Sequence, residues 1–218
     1  MLRRVADATP VRRVLDRARR FSNVVRMGHD APRPNERVWV DPARVEYALD
    51  GLRVRSGAVV DRWPPVDPVP FEEHQHVRFA LAHWRDGVPW EETGAYEYML
   101  ARIERRGRQD GCHDLDDVKR RYERLDELFE TARREGRLRT RQELDPRARN
   151  EDGGILVHIG PGGEPAIGDG GKHRMAIAKL LGFPLVPARI GYVHRDAVRL
   201  LPALRDETRA TDVSRPSP

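Results

Sequence analysis

Seven consecutive residues, Gly168-Asp169-Gly170-Gly171-Lys172-His173-Arg174, bring together three glycines, a carboxylate and three basic side chains. They run directly into Met175 to Leu181, a short helix-forming stretch stopped by Gly182 with Pro184 beyond. The first N–H groups of a helix have no acceptor inside it, and the aligned peptide dipoles leave partial positive charge there. A phosphate satisfies both. Glycines at 170 and 171 let the backbone bend sharply and approach an anion, while Lys172, His173 and Arg174 supply cationic or donor groups. The segment is therefore expected to be a phosphate-binding loop built from Asp169, Gly170, Gly171, Lys172, His173 and Arg174. It is not a Walker A loop, because Gly171-Lys172 is followed by His173 and not by Ser or Thr, and it is not G-x-G-x-x-G. The competing reading is a tight strand-to-helix turn whose glycines serve geometry alone and whose basic residues sit in solvent.

Chemistry on a phosphate needs more than a cradle. Asp169 is expected either to cap the helix or to help hold Mg2+. An acidic group must orient an acceptor hydroxyl; Asp41 and Glu164 are both open choices, and the base stays unassigned. Other clusters carry less. His74 and His76 match no zinc spacing and read as helix-surface residues, and Cys112-His113, with no partner cysteines, reads as a loop. No G-x-S-x-G nucleophile motif is present, and Trp39, Trp63, Trp84 and Trp90 read as core.

The elements that must position the loop follow from hydrophobic periodicity. Ile155–Ile159 and Glu164–Ile167 flank the turn Gly160-Pro161-Gly162-Gly163 as a hairpin whose second strand feeds the loop, and Val186–Val193 follows as a further strand. Glu36 to Val40, ended by Asp41-Pro42, reads as the first strand of the fold. Between them the chain turns helical over Phe71–Asp86, Thr93–Arg106, and from an N-cap at Asp114 to Gly136, after a proline-rich connector at Gly57–Pro70. Pro10–Met27 reads as an amphipathic basic helix, with Val11, Val14, Leu15, Ala18, Phe21 and Val25 at helical spacing between arginines. It is expected to pack on the core, the alternative being an arm that touches a polyanion or a partner subunit.

The chain has 218 residues, 40 Lys+Arg against 35 Asp+Glu, and a formal charge of +5, a weak bias towards anionic partners. One cysteine and no long apolar run lead to the expectation of a cytoplasmic protein with no membrane association.

The box Gly170-Gly171-Lys172-His173-Arg174-Met175-Ala176-Ile177-Ala178-Lys179-Leu180-Leu181-Gly182, followed by Val186-Pro187-Ala188-Arg189-Ile190, resembles the ParB/sulfiredoxin superfamily. Residues 114–195 carry the resemblance, with a weaker patch at 36–50. It implies an α+β fold, a small mixed sheet with helices, here with a helical insertion at about 51–113; residues 1–35 form a basic arm, 36–204 the domain, and 205–218 a disordered tail. Members bind nucleotides. Sulfiredoxin uses a cysteine in Gly-Cys-His-Arg and ParB a glutamate in a Gly-Glu-Arg-Arg-like box; Lys172 stands at both positions, which argues against sulfinic acid repair and against metal-assisted CTP hydrolysis. No helix-turn-helix is expected after the box. The resemblance implies binding of ATP or ADP, with CTP as the other choice, and Mg2+ as a companion. The expected activity is kinase-like phosphotransfer to a small hydroxyl-bearing molecule, similar to the free-serine kinase branch. The alternatives are a nucleic-acid-binding or nuclease protein and a non-catalytic nucleotide sensor.

Overall fold

The computed structural model describes residues 10–52, 56–148 and 150–206. Seven strands form one mixed sheet: β1 (Arg37–Val40), β2 (Tyr47–Ala48), β3 (Ala58–Val60), β4 (Val69–Pro70), β5 (Ile155–Ile159), β6 (Pro165–Ile167) and β7 (Val186–His194). Along the sheet the order is β1-β7-β5-β6-β2-β4, and β3 joins β7 beyond the stretch that β1 occupies. The hairpin β5–β6 is antiparallel, whereas β7 runs parallel to β5 and β2 parallel to β6. All five residues of β5 are buried, as its uninterrupted apolar run requires of a strand covered on both faces.

Seven α-helices accompany the sheet among the described residues: α1 (Pro10–Met27), α2 (Gln75–Trp84), α3 (Ala95–Arg106), α4 (Leu115–Glu135), α5 (Arg141–Leu144), α6 (Lys172–Leu180) and α7 (Leu201–Arg205). The fold is α+β, as expected. Local signals set most boundaries. The Asp114 carboxylate accepts from the Asp117 amide at 2.8 Å to open α4, and Gly136, at φ +68°, closes it.

The stretch expected as a helical insertion is woven into the core. Val77, Ala80 and Met99 are fully buried beside Tyr122 of α4 and Met175 of α6, and Trp84 and Trp90 both donate from Nε1 to the Asp126 carboxylate, at 2.9 and 3.0 Å. The Gly57–Pro70 connector was expected to hold no regular element; it carries β3 and β4, because their partners lie on distant strands that local composition does not report. The tail expected from 205 lies outside the described residues beyond Asp206, but Arg205 itself is the last residue of α7 and pairs with Glu36 at 3.1 Å. Trp39 and Trp90 are buried as expected and Trp84 packs on the core, whereas Trp63 lines a surface cleft of about 370 Å³ with Arg44, Tyr47 and Glu164.

The first helix corrects another expectation. It turns its polar side to the body: Asn23 is buried and donates to the carbonyls of Pro32 (2.9 Å) and Gly57 (2.8 Å), and Arg19 donates to that of Ser56 at 3.2 Å. The apolar stripe faces outward, with Val14, Leu15, Phe21 and Val25 between 57% and 74% exposed.

Candidate anion site at the start of helix α6

Because β2 and β6 are parallel neighbours, with Ala48 opposite Ile167, the segments that follow them leave the sheet at the same end. Asp50-Gly51 therefore meets Asp169 to Lys172. The Gly51 amide donates to Asp169 Oδ1 at 3.1 Å, so Asp169 ties the loop to its neighbour and does not cap α6.

Gly171 is the residue just before α6 and sits at φ +88°, where a Cβ would lie 2.5 Å from Ile155 Cα. Glycine is demanded here by the chain itself, through a left-handed turn and close packing on β5. Gly170 has ordinary space, its nearest neighbour being the Gly154 carbonyl oxygen at 3.4 Å. Gly168 is again tight, with a Cβ 2.7 Å from both Leu156 and His158 Nε2.

The helix opens at Lys172, three residues before the Met175 start expected from sequence, so Lys172, His173 and Arg174 occupy its first turn. The Met175 amide finds the Gly171 carbonyl at 2.9 Å, whereas among the described residues none of the backbone N–H groups of 171–174 finds an acceptor. That leaves an uncapped positive helix end.

The three basic side chains fan out in different directions. Lys172 is buried, and its Nζ donates to the Gly168 carbonyl (2.9 Å) and pairs with Asp50 Oδ1 (2.6 Å). Asp50 Oδ2 lies 2.6 Å from His74 Nε2, and His74 Nδ1 accepts from the His76 amide at 3.2 Å, capping α2. Since Nδ1 accepts, the proton between His74 and Asp50 sits on Nε2. Burial would raise the Asp50 pKa, but the hydrogen bonds from His74 and Lys172 outweigh it and hold the carboxyl well below the usual carboxylate range. His74 is thus a buried member of an ion network, not the helix-surface residue expected from its sequence.

His173 points away from the loop, into a ring cluster with His76 (5.5 Å between centroids), Tyr122 (6.1 Å) and Trp84 (6.5 Å). Burial pushes the His76 pKa down to about 4 and that of His173 well below its ordinary value. Neither ring supplies positive charge at neutral pH, so His173 contributes to the site through its amide. Among the described residues His76 Nδ1, His173 Nε2 and the Tyr122 hydroxyl are buried without a hydrogen-bond partner.

Arg174 reaches back over the helix start, as side chains at a helix's first turn do. Its only hydrogen bond among the described residues is a long one, 3.4 Å to the Gly153 carbonyl. Burial and the neighbouring Arg141 both depress its pKa from the ordinary value. Glu151, the nearby carboxylate, is already committed to Arg37 Nε (2.7 Å) and to the Arg141 backbone amide (3.0 Å). Among the described residues neither Arg174 nor Arg141 makes an ion pair, and Arg141 Nε is buried without a partner. Glu151 offsets part of the repulsion that Arg174 feels from Arg141, and an anion at the bare helix amides would relieve more of it.

Neither acid considered from sequence reaches this end. Glu164 precedes β6 while the loop follows it, and its Oε2 accepts from the Gly162 amide at 2.8 Å. Asp41 caps the turn after β1 through the Ala43 amide at 2.8 Å, beside the far end of α6, where Lys179 donates to the Pro42 carbonyl at 3.2 Å. The sequence reading missed Asp50 and Arg141, which lie in unremarkable local contexts more than 100 and about 30 residues from the loop. Models of protein families, curated proteins and solved structures give no match to this chain. Among the described residues no helix is long and apolar enough to cross a membrane.

Proposed function

We propose that the start of α6 holds the phosphates of a nucleotide, ATP or ADP, and that the protein transfers phosphate to a small hydroxyl-bearing molecule. The observation that carries this reading is the coincidence of amides at residues 171–174 that find no acceptor with Arg174 and Arg141, two guanidiniums that make no ion pair among the described residues, Glu151 acting on Arg174 only at longer range. In this reading the amides and Arg174 bind phosphate oxygens, and Arg141 supplies a second fork. Lys172, tethered by Asp50, fixes the loop and contributes field more than contact. Asp50, whose side chain is 41% exposed, orients the acceptor hydroxyl. Mg2+ would arrive with the phosphates, which commonly supply much of its coordination. Asp169 fits as its protein ligand, because Oδ2 is free of hydrogen bonds among the described residues.

One observation favours a second reading. Both oxygens of Asp50 are engaged, by Lys172 and by His74, so Asp50 is not free to act as a base, as would suit a nucleotide sensor that does not turn over. Calorimetric titration with ATP, ADP, CTP and GTP, with and without Mg2+, followed by phosphorus NMR in the presence of hydroxyl acceptors, separates the two. Saturable binding with transfer supports the kinase reading, and binding without transfer supports the sensor. No binding by any of the nucleotides at millimolar concentration refutes both.

A further inference from the structure

Helix α1 carries four of the eight large apolar side chains that are exposed among the described residues. At 3.6 residues per turn, Val14, Ala18, Phe21 and Val25 fall within an arc of about 60°. Asp16, Arg19 and Asn23, which face the body, lie on the opposite side of the helix. The spacing of four, three and four residues is that of alternating a and d positions in a heptad, the pattern by which one helix pairs with another, and exposed Leu15 widens the apolar face on one side to an arc of about 120°.

We propose that this face pairs with α1 of a second copy of the chain, antiparallel, making a homodimer. In that arrangement Val14 of each copy packs on Val25 of the other, and Ala18 on Phe21, so that the largest side chain of the seam meets the smallest. The positions flanking the seam are Leu15 and Ser22 on one side and Arg17 and Val24 on the other. Arg17 therefore lies near Val24 of the second copy, and no like charges oppose each other across the seam. The contact is one helix pair about 27 Å long, at the small end of specific interfaces, so its dissociation constant is expected in the micromolar range.

Sedimentation equilibrium over a concentration series tests this. The expected mass rises from 25.0 kDa to about twice that. Added salt strengthens the association by screening the outward arginines, the reverse of its effect on binding to a nucleic-acid backbone. Phe21→Glu, at a side chain 74% exposed, is expected to remain folded and monomeric, and Val25→Glu to behave alike. Phe21→Ala weakens the dimer at least tenfold, and adding Ala18→Phe restores it. Since Cys112 is buried, mixing Val14→Cys with Val25→Cys protein should give a crosslinked heterodimer, and neither alone should crosslink efficiently. A monomer at every concentration up to roughly 1 mM overturns the proposal, as does a dimer indifferent to Phe21→Glu and Val25→Glu. Efficient self-crosslinking of each single variant, or binding of the monomer to anionic vesicles through this stripe, overturns it equally.

Discussion

Replacing Arg174 with alanine removes a guanidinium whose only hydrogen bond among the described residues is the 3.4 Å contact to the Gly153 carbonyl. It also relieves the repulsion from Arg141, a gain that the lost attraction to Glu151 partly balances. The folded protein therefore loses little, and its unfolding free energy should stay within about 0.5 kcal/mol of the parent. A bound phosphate, by contrast, loses a charge-assisted hydrogen bond of about 1.5–3 kcal/mol, which weakens binding roughly 10- to 150-fold. Arg141→Ala should act in the same direction on affinity. Calorimetry with ATP and with inorganic phosphate reports affinity, and chemical denaturation reports stability. The combination of unchanged stability with weakened binding identifies a ligand-directed side chain. Unchanged affinity in folded Arg174→Ala protein, or a large loss of stability with normal binding, refutes the assignment.

Gly171→Ala forces a Cβ to 2.5 Å from Ile155 Cα at φ +88° and should cost about 1–3 kcal/mol or more, whereas Gly170→Ala, with 3.4 Å of room, should cost under about 1 kcal/mol; denaturant midpoints compare them directly. His158 is fully buried, its Nδ1 accepts from the Tyr192 amide at 2.9 Å, and burial pushes its pKa from 6.5 to about 4. The unfolded chain then binds the proton first, so the stability held above pH 6.5 is lost as pH falls towards 4, on the order of 3 kcal/mol from this residue. His158→Asn, which keeps an acceptor for the amide and cannot titrate, should flatten the pH dependence of the unfolding free energy by about 1.4 kcal/mol per pH unit across that window; an unchanged slope would contradict the burial argument. Nucleotide affinity should fall only gently with salt, while a steep dependence shared by DNA or RNA would point to backbone binding by the arginines.

What the sequence determined by itself is the set of features decided by neighbours in the chain. The α1 periodicity, the Asp114 cap, the β5–β6 hairpin and the glycine turn into α6 rest on capping, turn chemistry and hydrophobic period, all of which act over a few residues. The α+β class followed from the order of those elements. The tertiary structure decided everything that depends on distant partners. Strands β3 and β4 exist because β7 and β2 offer free edges, although their own residues read as a connector. The outward turn of α1 depends on Asn23 finding the Pro32 and Gly57 carbonyls, a polar anchor that hydrophobic periodicity cannot see. At the candidate site, sequence assembled the amides and Arg174, but the same local reading placed Lys172 and His173 around a phosphate too. Their side chains were claimed instead by Asp50 and by the His76–Tyr122 cluster, because a buried charge needs a counter-charge and a buried ring needs packing, and both were supplied by segments at least 50 residues away along the chain.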